Sequence, residues 1–120
     1  MGAVGIFDDD VEAGIFTWCL DTDTLYADSA VANLFGLDPE QTVGGLPIAD
    51  YLTWVHPDDK GALARRISQA VVDGQPYNAA FRIVDPMGKI RLVMSFGRCF
   101  RDKIGNPAHY AGIIHPIDDD

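Results

Sequence analysis

Basic residues are scarce in this chain: 9 Lys and Arg stand against 18 Asp and Glu in 120 residues, a formal net charge of −9. No basic stripe exists to neutralise phosphates, which argues against nucleic acid or an anionic membrane as partner. Cysteine is rarer still. Two cysteines do not build a disulfide framework, so the expected compartment is a reducing cytoplasm. No run of about 18 apolar residues is available for a spanning helix. The N-terminus carries acids where a signal peptide would carry a positive segment. Internal repeats and low-complexity stretches are also lacking. Core material is not: 48% of the residues are hydrophobic and 10% aromatic, enough for one domain with a buried interior. The acidity gathers at the ends. Asp8, Asp9, Asp10 and Glu12, with Asp118, Asp119 and Asp120, hold seven of the acids, leaving 11 acidic against 9 basic residues between 13 and 117. The reading is an acidic lead over 1–12, a domain over 13–117 and an acidic tail over 118–120, with Val4, Ile6, Phe7 and Val11 available to dock the lead as a turn or helix.

Local patterns set the element order. Gly14 to Asp21 is rich in aromatic and β-branched residues and predicts a strand; Asp21-Thr22-Asp23 turns it, and Thr24 to Ala27 returns. Ser29 suits the N-cap of a helix over 30–35, stopped by Gly36. Asp38-Pro39-Glu40-Gln41 starts a second helix, with Gln41 placed to complete a capping box, and Gly44, Gly45 and Pro47 keep it short. A third is predicted over 48–55, with Ile48, Tyr51, Leu52 and Val55 at spacings of three and four. His56-Pro57-Asp58-Asp59 opens the longest helix, whose apolar stripe is Leu63, Ile67, Ala70 and Val71; Gly74 and Pro76 end it. Three strands follow over 77–85, 89–102 and 108–117, joined by turns at Asp85-Pro86-Met87-Gly88 and Lys103-Ile104-Gly105-Asn106. Two strands, several helices and a three-strand meander make an α+β domain with one antiparallel sheet and its helices on one face.

This order resembles the PAS sensory domain, closest to the variety common in bacterial signalling proteins. The resemblance runs from Gly14 to about Ile117. Its carriers are Trp18, Ser29 to Leu37 with Asp38-Pro39-Glu40, Trp54-Val55-His56-Pro57-Asp58-Asp59, Phe81-Arg82-Ile83, Asp85 to Gly88, Gly105 and Gly112. It implies a five-stranded sheet in spatial order 2-1-5-4-3, with helices over one face and a ligand pocket between. It also implies a sensing or regulatory role, coupled to a sensor histidine kinase of a two-component system, a cyclase or another effector. The family often closes on Asp-Ile-Thr before a coiled-coil linker; here His115-Pro116-Ile117 runs into three aspartates, so output is expected by contact or through a portion outside this sequence.

If Asp85 pairs with Lys89 across its turn, Phe81 falls opposite Val93 and Ile83 opposite Arg91. One face then carries Phe81, Ile83, Val93, Ser95 and Gly97, the other Val84, Ile90, Leu92, Met94 and Phe96. Both are apolar, more than a half-exposed sheet requires. The resemblance puts the first set toward the helices. The expected pocket lining is therefore Phe16, Trp18, Phe35, Trp54, Phe81, Ile83, Val93, Ser95 and Ile114, suited to a small apolar or amphipathic ligand or else simply filled by its own aromatics. The second set, with Ile113, is expected to meet a second copy in a homodimer, an effector, or the chain's own residues 4–11.

Catalytic and cofactor chemistry has little to stand on. His56 with Asp58 or Asp59 would be the acid–base set of a small hydrolase or isomerase, yet helix-start chemistry accounts for all three. His109 and His115 share a strand face without a third ligand for zinc. Cys19 and Cys99 fall on strands separated by a third in the implied order, roughly 10 Å apart and too far to bridge. Against the flavin-binding relatives, Gly45 to Val55 lacks the adduct-forming cysteine, and Ile83, Val93 and Ile114 stand where amides would hold the flavin ring. No histidine lies between Asp58 and Gly74 to ligate haem. Three functions remain in order: a signal sensor, a ligand-free dimerisation module, and a small enzyme.

Overall fold

The computed structural model describes residues 13–117; the two acidic termini and the docking of Val4, Ile6, Phe7 and Val11 lie outside them. The elements follow as β1 (Gly14–Cys19), β2 (Thr24–Ala27), α1 (Ser29–Phe35), α2 (Pro39–Gly44), α3 (Ile48–Leu52), α4 (Pro57–Asp73), β3 (Tyr77–Val84), β4 (Ile90–Arg101) and β5 (Pro107–Pro116). The strands form one antiparallel sheet in the order β2-β1-β5-β4-β3. The helices cover one face of it.

Both hairpins of the meander are built on the same plan. At the β3–β4 turn one oxygen of the Asp85 carboxylate accepts from the backbone N–H groups of Met87 and Lys89, each at 2.9 Å. Its other oxygen accepts from Arg91 at 2.7 Å, and Gly88 takes the positive φ of 86° that closes the turn. Asp102 repeats this toward Ile104 and Asn106, with Gly105 at φ 93°. The register that results pairs Phe81 with Val93 and Ile83 with Arg91, as the turn chemistry requires. Arg91 also reaches the Leu34 carbonyl at 3.3 Å, tying the hairpin to the end of α1.

Three local expectations are corrected. The cap of α1 is Asp28, not Ser29. Its carboxylate accepts from Val31 N–H and from Ile15 N–H, both at 3.1 Å, so one side chain caps the helix and fastens it to β1. The strand β1 stops at Cys19, before the turn in which Asp23 accepts from the Trp18 indole at 3.0 Å. The helix α3 ends at Leu52 instead of running to Val55. Trp54, Val55 and His56 are drawn out along the free edge of β3: the Trp54 carbonyl accepts from Val84 N–H at 2.7 Å, and His56 N–H donates to the Arg82 carbonyl at 2.8 Å. Unpaired edge groups are costly, and satisfying them outweighs three more helical residues.

Asp59, in the first turn of α4, completes that edge. It accepts from the Arg82 backbone N–H at 2.9 Å and grips the guanidinium at 2.9 and 2.8 Å. The Arg82 side chain holds the Asp59 carboxyl down from 3.8 to about 2, assisted by the backbone N–H.

Gly112 lies between Phe16 of β1 and Gly97 of β4. A Cβ there would run into the Phe96 carbonyl, whereas at Gly97 it would meet only ordinary contacts with Tyr77 and Phe16. Gly112→Ala is therefore expected to destabilise by about 3 kcal/mol or more, and Gly97→Ala by much less, in urea unfolding. Because the Asp59 pKa is depressed, its pair contributes fully above about pH 4 and is lost as pH falls toward 2. Acid unfolding of Asp59→Asn should lose part of the wild-type slope across that window, with Asp85, which Arg91 also depresses, contributing to what is left.

Candidate functional site

The sheet presents two unlike faces. Toward the helices lie Phe81, Ile83, Val93, Ser95 and Ile114, all buried, with Ile83 and Val93 wholly so. The four apolar ones join Leu25, Val31, Phe35, Tyr51, Val55 and Leu63 in the core. Phe35 and Tyr51 meet edge to face at 5.5 Å, and the Tyr51 hydroxyl donates to the Leu25 carbonyl at 3.0 Å. Burial, with the nearby Asp50 charge, pushes that phenol up to about 12, so it stays neutral.

Between helices and sheet lies an apolar cavity of about 60 Å³. Of the residues expected at the pocket, Phe16, Phe35, Phe81, Ser95 and Ile114 line it. Ile83 and Val93 lie in the packed layer outside its lining. Trp18 lines a second apolar space of about 40 Å³. Trp54 borders neither, because α3 ends before it and its backbone joins the β3 edge. The lining also includes Ile48, Tyr51, Leu52, Val55, Leu63 and Ile67 from the helical side. Their spacing marks them as buried stripes in the sequence, but which strand they would face is not written there.

The reverse face is apolar and open. Ile90, Phe96 and Ile113 are exposed there, and Val84, Leu92 and Met94 are half-buried. Ile15, 61% exposed, pairs with Ile113, which pairs in turn with Phe96, making a row across three strands. Tyr26 and Phe100 extend it. Ile15, Tyr26 and Phe100 were not among the residues expected here, although the alternation of β1, β2 and β4 contains them. The polar groups beside it are Arg82, held by Asp59, Arg98, which lies over Phe100, and the imidazoles of His109 and His115. His115 stacks on Phe96 with ring centroids 6.0 Å apart.

The polar cluster at the α4 start is committed to the fold. His56 Nδ1 accepts from the Asp58 backbone N–H at 3.1 Å, Asp58 is exposed, and Asp59 is held by Arg82. Among the described residues no three His, Cys, Asp or Glu side chains converge as a metal site requires. Cys19 and Cys99 are unbridged, with β5 running between their strands. No helix of the described residues is long and apolar enough to cross a membrane.

Comparison with known proteins places this architecture. No curated protein matches the sequence. Among solved structures, the N-terminal domain of a diguanylate cyclase with PAS/PAC sensor from Marinobacter aquaeolei superposes with a TM-score of 0.78 at 17% identity, covering 86% of this chain and 93% of that one. A sensory box histidine kinase/response regulator from Burkholderia thailandensis gives 0.74 at 20% identity, over 89% of this chain and 78% of that one. A PAS domain from Colwellia psychrerythraea gives 0.71 at 18% identity, over 99% and 97%. The sequence itself matches the family described as the PAS fold over residues 24–114. With that match spanning most of the chain, and the 2-1-5-4-3 sheet under its helices, this chain belongs to the PAS fold family.

Proposed function

We propose that this domain is the sensory input of a cytoplasmic signalling protein, that its cavity takes a small uncharged ligand, and that the reverse of the sheet carries the signal to a second copy. The observation behind this reading is that cavity and patch share strands. On β4 Ser95 lines the cavity while Met94 and Phe96 face outward. On β1 and β5 Phe16 and Ile114 line it while Ile15 and Ile113 face outward. A molecule pressing on the first set must strain or release the second, since alternate residues of one strand move together.

The family's occurrence in histidine kinases and diguanylate cyclases supports a signalling role. A kinase of the two-component kind or a cyclase is the effector we favour. The chain is not assigned a reaction of its own, because the acid–base cluster at the start of α4 is spent on capping and on Arg82. A ligand-free dimerisation module is the second reading. It is favoured by the small size of the cavity, below the ~150 Å³ that admits benzene.

Native mass spectrometry of gently purified protein separates the two readings: a bound small molecule supports the sensor, and a bare polypeptide under conditions that preserve the dimer supports the module. For the surface, Phe96→Lys with Ile113→Lys should leave the circular dichroism spectrum unchanged and weaken self-association at least about tenfold in sedimentation. A wild-type chain that stays monomeric at high micromolar concentration would remove the homodimer from this account.

A further inference from the structure

The outer patch is not uniform: β5 divides it into a hollow and a ridge. On the side of β1 and β2 an open groove of about 350 Å³ is walled by Ile15, Thr17, Tyr26, Asp28 and Val43. Ile15, Tyr26 and Val43 are exposed along it. The Asp28 carboxylate holds the N–H groups of Ile15 and Val31, one on each oxygen, and keeps a free lone pair on both. On the side of β4 the exposed rings of Phe96 and Phe100 stand out, with Arg98 between them. The Arg98 guanidinium lies over Phe100 and joins no ion pair among the described residues. Hollow and ridge are level. Ile15, Ile113 and Phe96 form one row, and Thr17, Ala111 and Arg98 the next, which Tyr26 extends through its pairing with Thr17.

We infer that the groove of one copy receives the β4 ridge of a second, the two copies being related by a twofold axis running along the outer side of β5. β1 and β4 flank β5 at equal spacing, and an axis parallel to the strands exchanges the two sides while keeping each row level. Ile15 then faces Phe96 of the second copy, Thr17 and Tyr26 face Arg98 of the second copy, and Ile113 and Ala111 face themselves. Each contact joins unlike surfaces. A cavity of about 150 Å³ admits benzene, so the groove has room for a phenyl ring. The guanidinium meets an aromatic face at Tyr26 and an acid at Asp28, both attractive to a cation. Ala111, the smallest outward side chain of β5, lets the two central strands approach. An axis laid across the strands would instead set ridge on ridge and hollow on hollow, bringing like charges together and leaving the grooves empty. An unrelated partner would not require hollow and ridge to be level and equidistant from one strand; a second copy does.

This inference rests on the self-association reading, and its test separates the two. Ile15→Glu and Phe96→Lys are made in separate chains, each checked by circular dichroism. Either alone spoils both groove–ridge contacts of its own dimer. Mixed, they leave one contact wild-type and set the new carboxylate against the new ammonium in the other. Sedimentation of the equimolar mixture should show association at least about tenfold tighter than either variant alone. A mixture that associates no better than its components, while the wild type dimerises, would overturn the groove–ridge pairing and leave the homodimer standing. A wild-type chain that stays monomeric at high micromolar concentration would overturn both. Should either variant not fold, Ile15→Cys and Phe96→Cys are made in chains carrying Cys19→Ser and Cys99→Ser, then mixed with a bismaleimide about 10 Å long, the spacing of two stacked sheets. Product linking the two different variants must exceed the half expected from random pairing, and a yield at or below half would contradict the proposal.

Discussion

The carboxylate of Asp85 fixes what each side of the sheet can be. Three donors converge on it, the N–H groups of Met87 and Lys89 and the Arg91 guanidinium, so the β3–β4 turn has one geometry and the hairpin one register. A slip of one residue would turn Phe81, Ile83, Val93 and Ser95 to the outside and bring their alternates in. Both sets are apolar, so hydrophobicity alone would choose weakly between them. The turn chemistry makes the choice, and Arg91 extends it to the helices through the Leu34 carbonyl. The inner cavity and the outer patch are consequences of the same register.

The edges of the sheet are protected by equally specific means. On β3 the backbone groups of Arg82 and Val84 are taken by His56, Trp54 and Asp59. On β2 Leu25 exchanges hydrogen bonds with Leu46 at 2.7 and 3.1 Å. With these edge groups occupied, strand addition is disfavoured, and the apolar face is left open. A polar His-Pro-Asp-Asp run that reads like a reactive cluster is thereby absorbed into architecture.

Much of this was legible in the sequence, because the signals were local. Paired Asp and Gly set the β3–β4 turn, proline and aspartate opened α2 and α4, and alternation on β3 and β4 sorted the residues into two sets, of which the PAS resemblance chose the inner one. The PAS resemblance supplied the strand order, which no local signal contains. What escaped depended on distant partners. Asp28 and Ser29 are both good caps, and only the approach of Ile15 N–H decides between them. Trp54 looked like pocket lining until the edge of β3 drew its backbone out of α3. The cavity residues Tyr51, Leu63 and Ile67 were visible as helical stripes, but the angle at which short helices cross a sheet follows from packing, not from spacing.

Xenon offers the most direct measurement of the central claim, that one register places a receptive apolar cavity on the inner face and a solvent-facing patch on the outer. Xenon enters dry apolar cavities without hydrogen bonding and can be titrated as a dissolved gas while methyl resonances are followed. The account predicts saturable shifts at Val31, Leu63, Ile67 and Ile114, with none at Ile90 and only weak, non-saturating changes at Ile15. Uniform shifts on both faces, or saturation at the outer residues alone, would contradict it.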